Sequence, residues 1–282
     1  MNTTNMNRLP VPTWNQCGVN AAPEAAALPE LSSNDWGEAS FAVTLPAGVG
    51  ESEEEFTAFA ESGMGAETDA FLQENATVRH ALTVAEGVQV EQPAVFDFTL
   101  DAGHPNALSL LDVEAKANSS LTVVQVVRGD AENGISAGLV RIRAAEGAHV
   151  KLVQVQMLGG HARHWGAAAL EESTCAKVEQ VRIVLGGAVA ACGARAMLDH
   201  AKAEYDLDAV YFGGQDAVLD FNDVSVHTAK DTLCEMHTAG VLTGNASKIL
   251  RGTIDFRRGA KRGVGHESED VLLFSPEAHN RT

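Results

Sequence analysis

From Ala76 onward, apolar and polar residues alternate over short runs, with Gly, Asn or Ser between one run and the next. A period of two with turn residues at close intervals predicts successive short strands. The runs are also similar to one another. SLTVVQVV (120–127), HVKLVQVQ (149–156), CAKVEQVR (175–182) and EYDLDAVY (204–211) follow at offsets of 29, 26 and 29 residues. Each carries an apolar residue at its fourth place (Val123, Leu152, Val178, Leu207) and at its seventh (Val126, Val155, Val181, Val210). GLVRIRAAEG (138–147) and VLDFNDVS (218–225) fit the same frame at half a step. Self-similarity at this period predicts coils of strand that bury their apolar faces only by stacking on their neighbours. The period is far from six and no hexapeptide series is visible, which disfavours a left-handed helix of the acyltransferase type. The expected fold is all-β dominated: a right-handed parallel β-helix (β-solenoid) over residues 76–282. Val123, Leu152, Val178 and Leu207 are expected to form one internal file, with the seventh-place residues in a parallel one. Asn118, Gly147, Gly186, Gly187, Gly213 and Gly214 supply the corners.

Ahead of the repeat lies an N-terminal extended and helical region, residues 1–75. Pro10, Pro12, Pro23 and Pro29 argue against long regular elements in the first 35 residues. Phe41 to Leu45 predicts a strand closed by Pro46. SEEEFTAFAE (52–61) predicts a helix, with Ser52 as N-cap, Glu55 completing a capping box and Gly63 past the end. Thr68 to Glu74 extends the helical unit, and the boundary falls near Asn75.

Composition narrows the function. A chain of 282 residues buries roughly 70–75% of its unfolded surface, so no disulfide or metal is needed to hold the fold. Twenty Lys and Arg against 38 Asp and Glu leave a net charge of −18, which excludes a nucleic-acid surface of the usual basic kind. The one basic cluster, Arg251, Arg257, Arg258, Lys261 and Arg262, reads as charges solvating strand faces. Cys17, Cys175, Cys192 and Cys234 lie far apart with no CxxC pair, which fits a reducing, cytoplasmic setting. No long apolar run or signal pattern is present, so no membrane segment is expected. HARH (161–164) spaces two imidazoles for a shared metal but offers no third ligand, and reads better as a surface loop. Asp199, Asp206, Asp208, Asp216, Asp220 and Asp223 form an acidic series that reads as solvated strand edges rather than the calcium ladder of a β-helix polysaccharide lyase. The glycine pairs at 159, 186 and 213 lack a following Lys-Ser/Thr, so there is no P-loop.

The run from Phe221 to Ala278 carries a further signal. His227-Thr228, Gly240-Val241-Leu242, Gly244, Ser247, Gly252, Ile254, Ala260, Leu272-Leu273, Ser275 and Ala278 stand in an order and spacing that resembles the SufB/SufD family of iron–sulfur cluster assembly. LPVPTWNQ near the start resembles the opening of SufD-type chains, and the short length points the same way. The resemblance implies a β-helix and a non-catalytic scaffold, with no cofactor in the isolated chain and a transient Fe–S cluster in the assembled complex. It also implies partners: a SufB-like subunit, or a second copy, joined through the C-terminal coils, and a SufC-like ABC ATPase. The expected interface residues are Ile254, Phe256, Val271, Leu272, Leu273 and Phe274. Cys234, His237 and His266 are the thiolate and imidazole candidates for cluster chemistry, although a lone buried Cys ordinarily acts as a small hydrophobe. Two departures stand out. Where the family carries a Q.N pair before its Leu-rich run, this chain has His266-Glu267-Ser268. The family pattern also continues past the point where this sequence stops, into a ligand-bearing segment and the helices that bind the ATPase, so neither is carried over. A stand-alone β-solenoid interaction protein is the alternative reading.

Overall fold

The computed structural model describes residues 6–12, 18–26, 36–52 and 54–282. Two short strands, β1 (Ser40–Thr44) and β2 (Val49–Glu51), and one helix, α1 (Ala66–Asn75), precede the repeat. The coils then run through β3 (Val78–Val84), β4 (Ala94–Leu100), β5 (Asn106–Ala115), β6 (Ser120–Gly129) and β7 (Ile135–Ala144). They continue through β8 (His149–Leu158), β9 (Arg163–Glu172), β10 (Lys177–Leu185), β11 (Val189–Leu198) and β12 (Glu204–Gly213). The last are β13 (Val218–His227), β14 (Leu233–Leu242), β15 (Ser247–Phe256), β16 (Val264–Leu273) and β17 (His279–Arg281). Even-numbered strands from β4 to β16 form one parallel sheet, with β1 added antiparallel at its start. Odd-numbered strands from β3 to β17 form the other, with β2 antiparallel on β3. The result is a β-solenoid of stacked parallel coils, each built from one even and one odd strand. Among the described residues no helix is long and apolar enough to cross a membrane.

Ser120, His149, Lys177, Glu204, Leu233 and Val264 stack in successive coils, so coil length runs 29, 28, 27, 29 and 31 residues. This corrects the expected file. Gln180, not Val178, continues Val123 and Leu152 towards Leu207, while Val178 stacks between Val150 and Tyr205. A slip of two residues keeps every side chain on its own face, so the apolar frame was blind to it. The seventh-place file is corrected as well. Ile183 replaces Val181 in it, and places three apart point to opposite faces, so Val126, Val155, Ile183 and Val210 face outward.

Corners are made by a second repeat. Asn118, Gly147, Cys175, Lys202, Asp231 and Arg262 occupy one stacked corner, all in the left-handed region with φ between 55° and 65°. Each backbone N–H from Asn118 to Asp231 donates to a carbonyl of the next coil, as from Asn118 to Glu146 (2.8 Å) and from Lys202 to Lys230 (3.1 Å). Buried Ala148, Ala176 and Ala203 follow directly inside that corner, and Ala162, Ala217, Ala246 and Ala278 mark the other.

Described parts of the N-terminal region lie across the outer face of the odd-numbered sheet, while β1 extends the even-numbered one. Met6, Ala26, Trp36, Met64 and Leu72 pack on Leu108, Leu139, Trp165 and Ala191. The Trp165 indole N–H donates to Ala26 O (3.0 Å), and Asn222 Nδ2 donates to Gly63 O (2.6 Å). The expected helix over 52–61 is absent among the described residues. Its amides are drawn to carboxylates of the sheet instead: Phe56 N–H donates to Asp112 (2.7 Å) and Ala60 N–H to Glu171 (3.1 Å). Phe56 and Phe59 stack at 5.2 Å with the Arg143 guanidinium over both rings. Tertiary contacts outweigh a capping signature here. The proposed strand at 41–45 is present as β1, and the PTW opening lies partly outside the described residues.

Candidate functional site

Two features stand out from the stacked coils: a polar interior and an uncovered C-terminal end. The interior begins apolar, with Leu121, Val123, Val150 and Leu152 facing Leu111, Val113, Val140 and Ile142. Towards the middle it turns polar. Tyr205 Oη donates to Gln180 Oε1 (2.8 Å), Gln180 Nε2 to Gln154 Oε1 (2.8 Å), and Gln154 Nε2 to Gln125 Oε1 (3.0 Å). This chain of side chains links four consecutive coils, and each member satisfies the next, as buried polar groups must. Arg182 extends from β10 across the interior to Asp223 on β13, with two charge-assisted hydrogen bonds of 3.0 and 2.7 Å. Burial alone would weaken the hold of Arg182 on its proton, but the Asp223 carboxylate outweighs that and raises its pKa. Beside the pair, Gln125, Gln154, Gln156, His164, Arg182 and Cys192 border an internal cavity of about 30 Å³, enough for a water molecule. Burial pulls His164 down to about 4 and pushes the Cys192 thiol up to about 11. At neutral pH the imidazole is therefore uncharged and the thiol protonated.

The acidic and basic residues singled out in the sequence prove to be of two kinds. Asp220 and Asp223 are buried and paired, Asp220 with Arg251 at 2.9 Å, which corrects their reading as solvated edges. Arg251 also donates to Val19 O and Ala21 O, so it clamps the N-terminal segment onto the sheet and is not a solvating charge. Arg257 and Arg262 are exposed and pair with Asp255 and Asp231. HARH splits: His161 is an exposed corner residue bound to Asp130 (2.8 Å), whereas His164 is the second residue of β9 and faces the interior, against Ser136 (3.1 Å). Gly160, Gly186, Gly187 and Gly214 of the three glycine pairs, with Leu185 and Phe212, line a surface groove of about 310 Å³.

The three ligand candidates are not brought together. Cys234 faces the interior from β14 and is fully buried, and burial pushes its thiol up to about 12. His237, three residues on, faces outward between Asp208 (3.8 Å) and Asp270 (3.3 Å). His266 on β16 is also outward and meets Glu235 at 2.9 Å. Among the described residues, no group of three or more His, Cys, Asp or Glu side chains is placed to hold a metal ion. Polar residues that the sequence reading passed over lie closest to the axis. They were detectable as breaks in the inward apolar places, at Gln125, Gln154, Gln180 and Arg182.

The C-terminal end is different in kind. Among the described residues the even-numbered sheet stops at β16, whose outer edge has no neighbour there, and β17 pairs with Ser247, Lys248 and Ile249 of β15. Phe256 (46% exposed), Leu272 (60%), Leu273 (54%) and Phe274 (71%) stand along this end. Ile254 and Val271 are half-buried behind them. Inside the last coil, Lys248 is buried, pairs with Glu269 and lies over the Tyr211 ring.

Residues 98–282 match the family described as "SUF system FeS cluster assembly, SufBD core domain". The chain belongs to the SufB/SufD family. Its role therefore lies in SUF iron–sulfur cluster assembly, within a complex of several subunits. The match takes in every coil from β5 onward, together with the C-terminal end. No curated protein matches the chain.

Proposed function

We propose that this SufB/SufD family chain is a SufD-like scaffold subunit without turnover of its own. It joins a SufB-like subunit through its C-terminal coils and works with a SufC-like ABC ATPase, the nascent Fe–S cluster being cargo held at the junction. The observation that carries this reading is the C-terminal end itself. An unpaired strand edge flanked by Phe256, Leu272, Leu273 and Phe274 is an aggregation hazard unless another strand covers it. Edge-to-edge pairing supplies backbone hydrogen bonds and apolar burial together.

The test is co-expression of this chain with a SufB-like subunit and the ATPase, followed by affinity purification through this chain. The SufB-like subunit is expected to co-purify and to bring the ATPase with it. Leu273→Arg, which sets a charge in the apolar seam, is expected to strip both away and leave the coils folded. Recovery of the wild-type chain alone, or full retention of the partner by Leu273→Arg, contradicts the reading.

A further inference from the structure

The outer face of the even-numbered sheet carries an apolar surface in the middle of the solenoid, away from either end. Outward places on successive strands stack in files across the coils. One file runs Val126, Val155, Ile183 and Val210, and Ala239 of β14 carries it one coil further. In the neighbouring file Leu185 stacks on Phe212 and Phe212 on Val241, with Met157 at the matching place of β8. Met157, Leu185, Val210 and Phe212 are each between 41% and 47% exposed. A contiguous exposed patch of this kind marks an interaction site, whereas single exposed apolar residues do not. The odd-numbered sheet also has an apolar outer face and buries it under Met6, Trp36, Met64 and Leu72 of the N-terminal region. On the even-numbered sheet β1 adds a strand beside β4, and among the described residues none covers the face in that way.

The backbone beneath this patch is already used. Each even-numbered strand from β6 to β14 is hydrogen-bonded to a parallel neighbour on both sides. An extended segment laid over the face finds no ladder to join, and its own amides and carbonyls meet apolar side chains instead of partners. A helix satisfies its backbone internally and needs only an apolar stripe to bury. From β6 to β14 the files cross four strand spacings, about 19 Å, which roughly thirteen helical residues span. The groove beside Leu185 and Phe212 gives one large apolar side chain of such a helix a pocket to fill.

Charge selects which helix fits. The file on the other side runs Val124, Val153 and Val181 and then breaks to Asp208, whose side chain is 71% exposed with His237 at 3.8 Å. Asp216 rims the groove, where the Asn245 amide donates to it (2.8 Å). Bordering cations are answered from within the chain, Arg128 by Asp97 and Lys177 by Asp206, both at 2.6 Å. Lys151 lies at the far margin, one outward place beyond Val153. The β12 end of the patch is therefore acidic, on a chain of net charge −18, and a second copy would bring like charges to it. We propose that the outer face of β8, β10 and β12 docks a basic amphipathic helix of another protein. Its apolar stripe lies over Val155, Ile183 and Leu185, and a lysine or arginine beside the stripe meets Asp208 and Asp216. The surface is separate from the β16 edge and stands whether or not that edge pairs.

The experiment measures fluorescence anisotropy of a labelled Leu/Lys peptide of about eighteen residues, long enough to be helical in water, with leucines at i, i+3, i+4 and i+7. The 282-residue chain is expected to bind it. Phe212→Ser and Asp208→Lys are each expected to weaken binding at least about tenfold, the first by emptying the anchor site and the second by facing like charges. Both positions are exposed, so the urea midpoint of each variant is expected to stay at the wild-type value. Glu54→Lys makes the same charge change on the odd-numbered side, beside β3, and is expected to bind as the wild type does. A peptide of the same composition with its leucines spread around the helix, and a Leu/Glu peptide with the original spacing, are expected to bind at least about tenfold more weakly. No binding by the wild type overturns the proposal, as does equal binding by Phe212→Ser and Asp208→Lys. An equal loss in Glu54→Lys overturns it too, because it shows general attraction to an acidic protein. Sedimentation equilibrium covers the remaining occupant: a wild-type dimer that Phe212→Ser dissolves gives the face to a second copy and also overturns the proposal.

Discussion

Asp223→Ala is expected to destabilise the protein by about 3–5 kcal/mol, because it leaves the Arg182 guanidinium buried without a counter-charge. Both side chains are almost fully enclosed, and the pair spans the two sheets from β10 to β13. The Asp223 carboxylate also accepts the Ala194 N–H (3.2 Å), so the substitution orphans a backbone donor as well. Replacing both partners by apolar residues of similar size, Arg182→Met with Asp223→Leu, is expected to restore most of the loss, as is usual for buried ion pairs. Urea unfolding of the single and double variants decides it. A single-variant loss under about 1 kcal/mol would mean that the interior is far wetter than its packing indicates.

Leu152→Ala is expected to cost about 2–5 kcal/mol. Leu152 is completely buried, between Val123 on one coil and Gln180 on the next. Its backbone is held on both sides by parallel ladders, to β6 and to β10, so the coils have little freedom to close over the lost methyl groups. The measurement is the urea midpoint at unchanged slope. A loss under about 1 kcal/mol would indicate a cavity that collapses, which a ladder fixed on both sides does not allow.

The even-numbered strands were legible in the sequence and the odd-numbered ones largely were not, for one physical reason. The even sheet keeps its outer face open, so β6 and β12 alternate buried with exposed places, and that is the pattern a period of two detects. The odd sheet is covered on its outer face by residues of the N-terminal segment, so β5, β11 and β13 are buried almost continuously and show no alternation. The repeat was therefore found on β6, β8, β10 and β12, with the odd strands entering only as half-steps. It slipped by two at β10 because the true occupant of the inward place is Gln180, and an apolar template discards a glutamine. The same template hid the polar interior as a whole. Arg182 and Asp223 are 41 residues apart on different sheets, and no local pattern joins them. The helix expected over 52–61 failed because its amides and phenylalanines are claimed by Asp112, Glu171 and Arg143, all of them distant in sequence. The C-terminal apolar residues were legible as residues. Their place on the last coils was expected as well; the structure adds the register, in which β16 has no further neighbour among the described residues.

The account rests on the edge of β16 being a pairing surface. Hydrogen–deuterium exchange of the amides from Val264 to Leu273, compared between the isolated chain and its mixture with a SufB-like subunit, tests that directly. Amides of an unpaired edge exchange quickly and become protected when a second strand bonds to them. The account predicts strong protection confined to β16 and the exposed part of β15, with the earlier coils unchanged. Formation of the complex with no added protection at Val264 to Leu273 would contradict it.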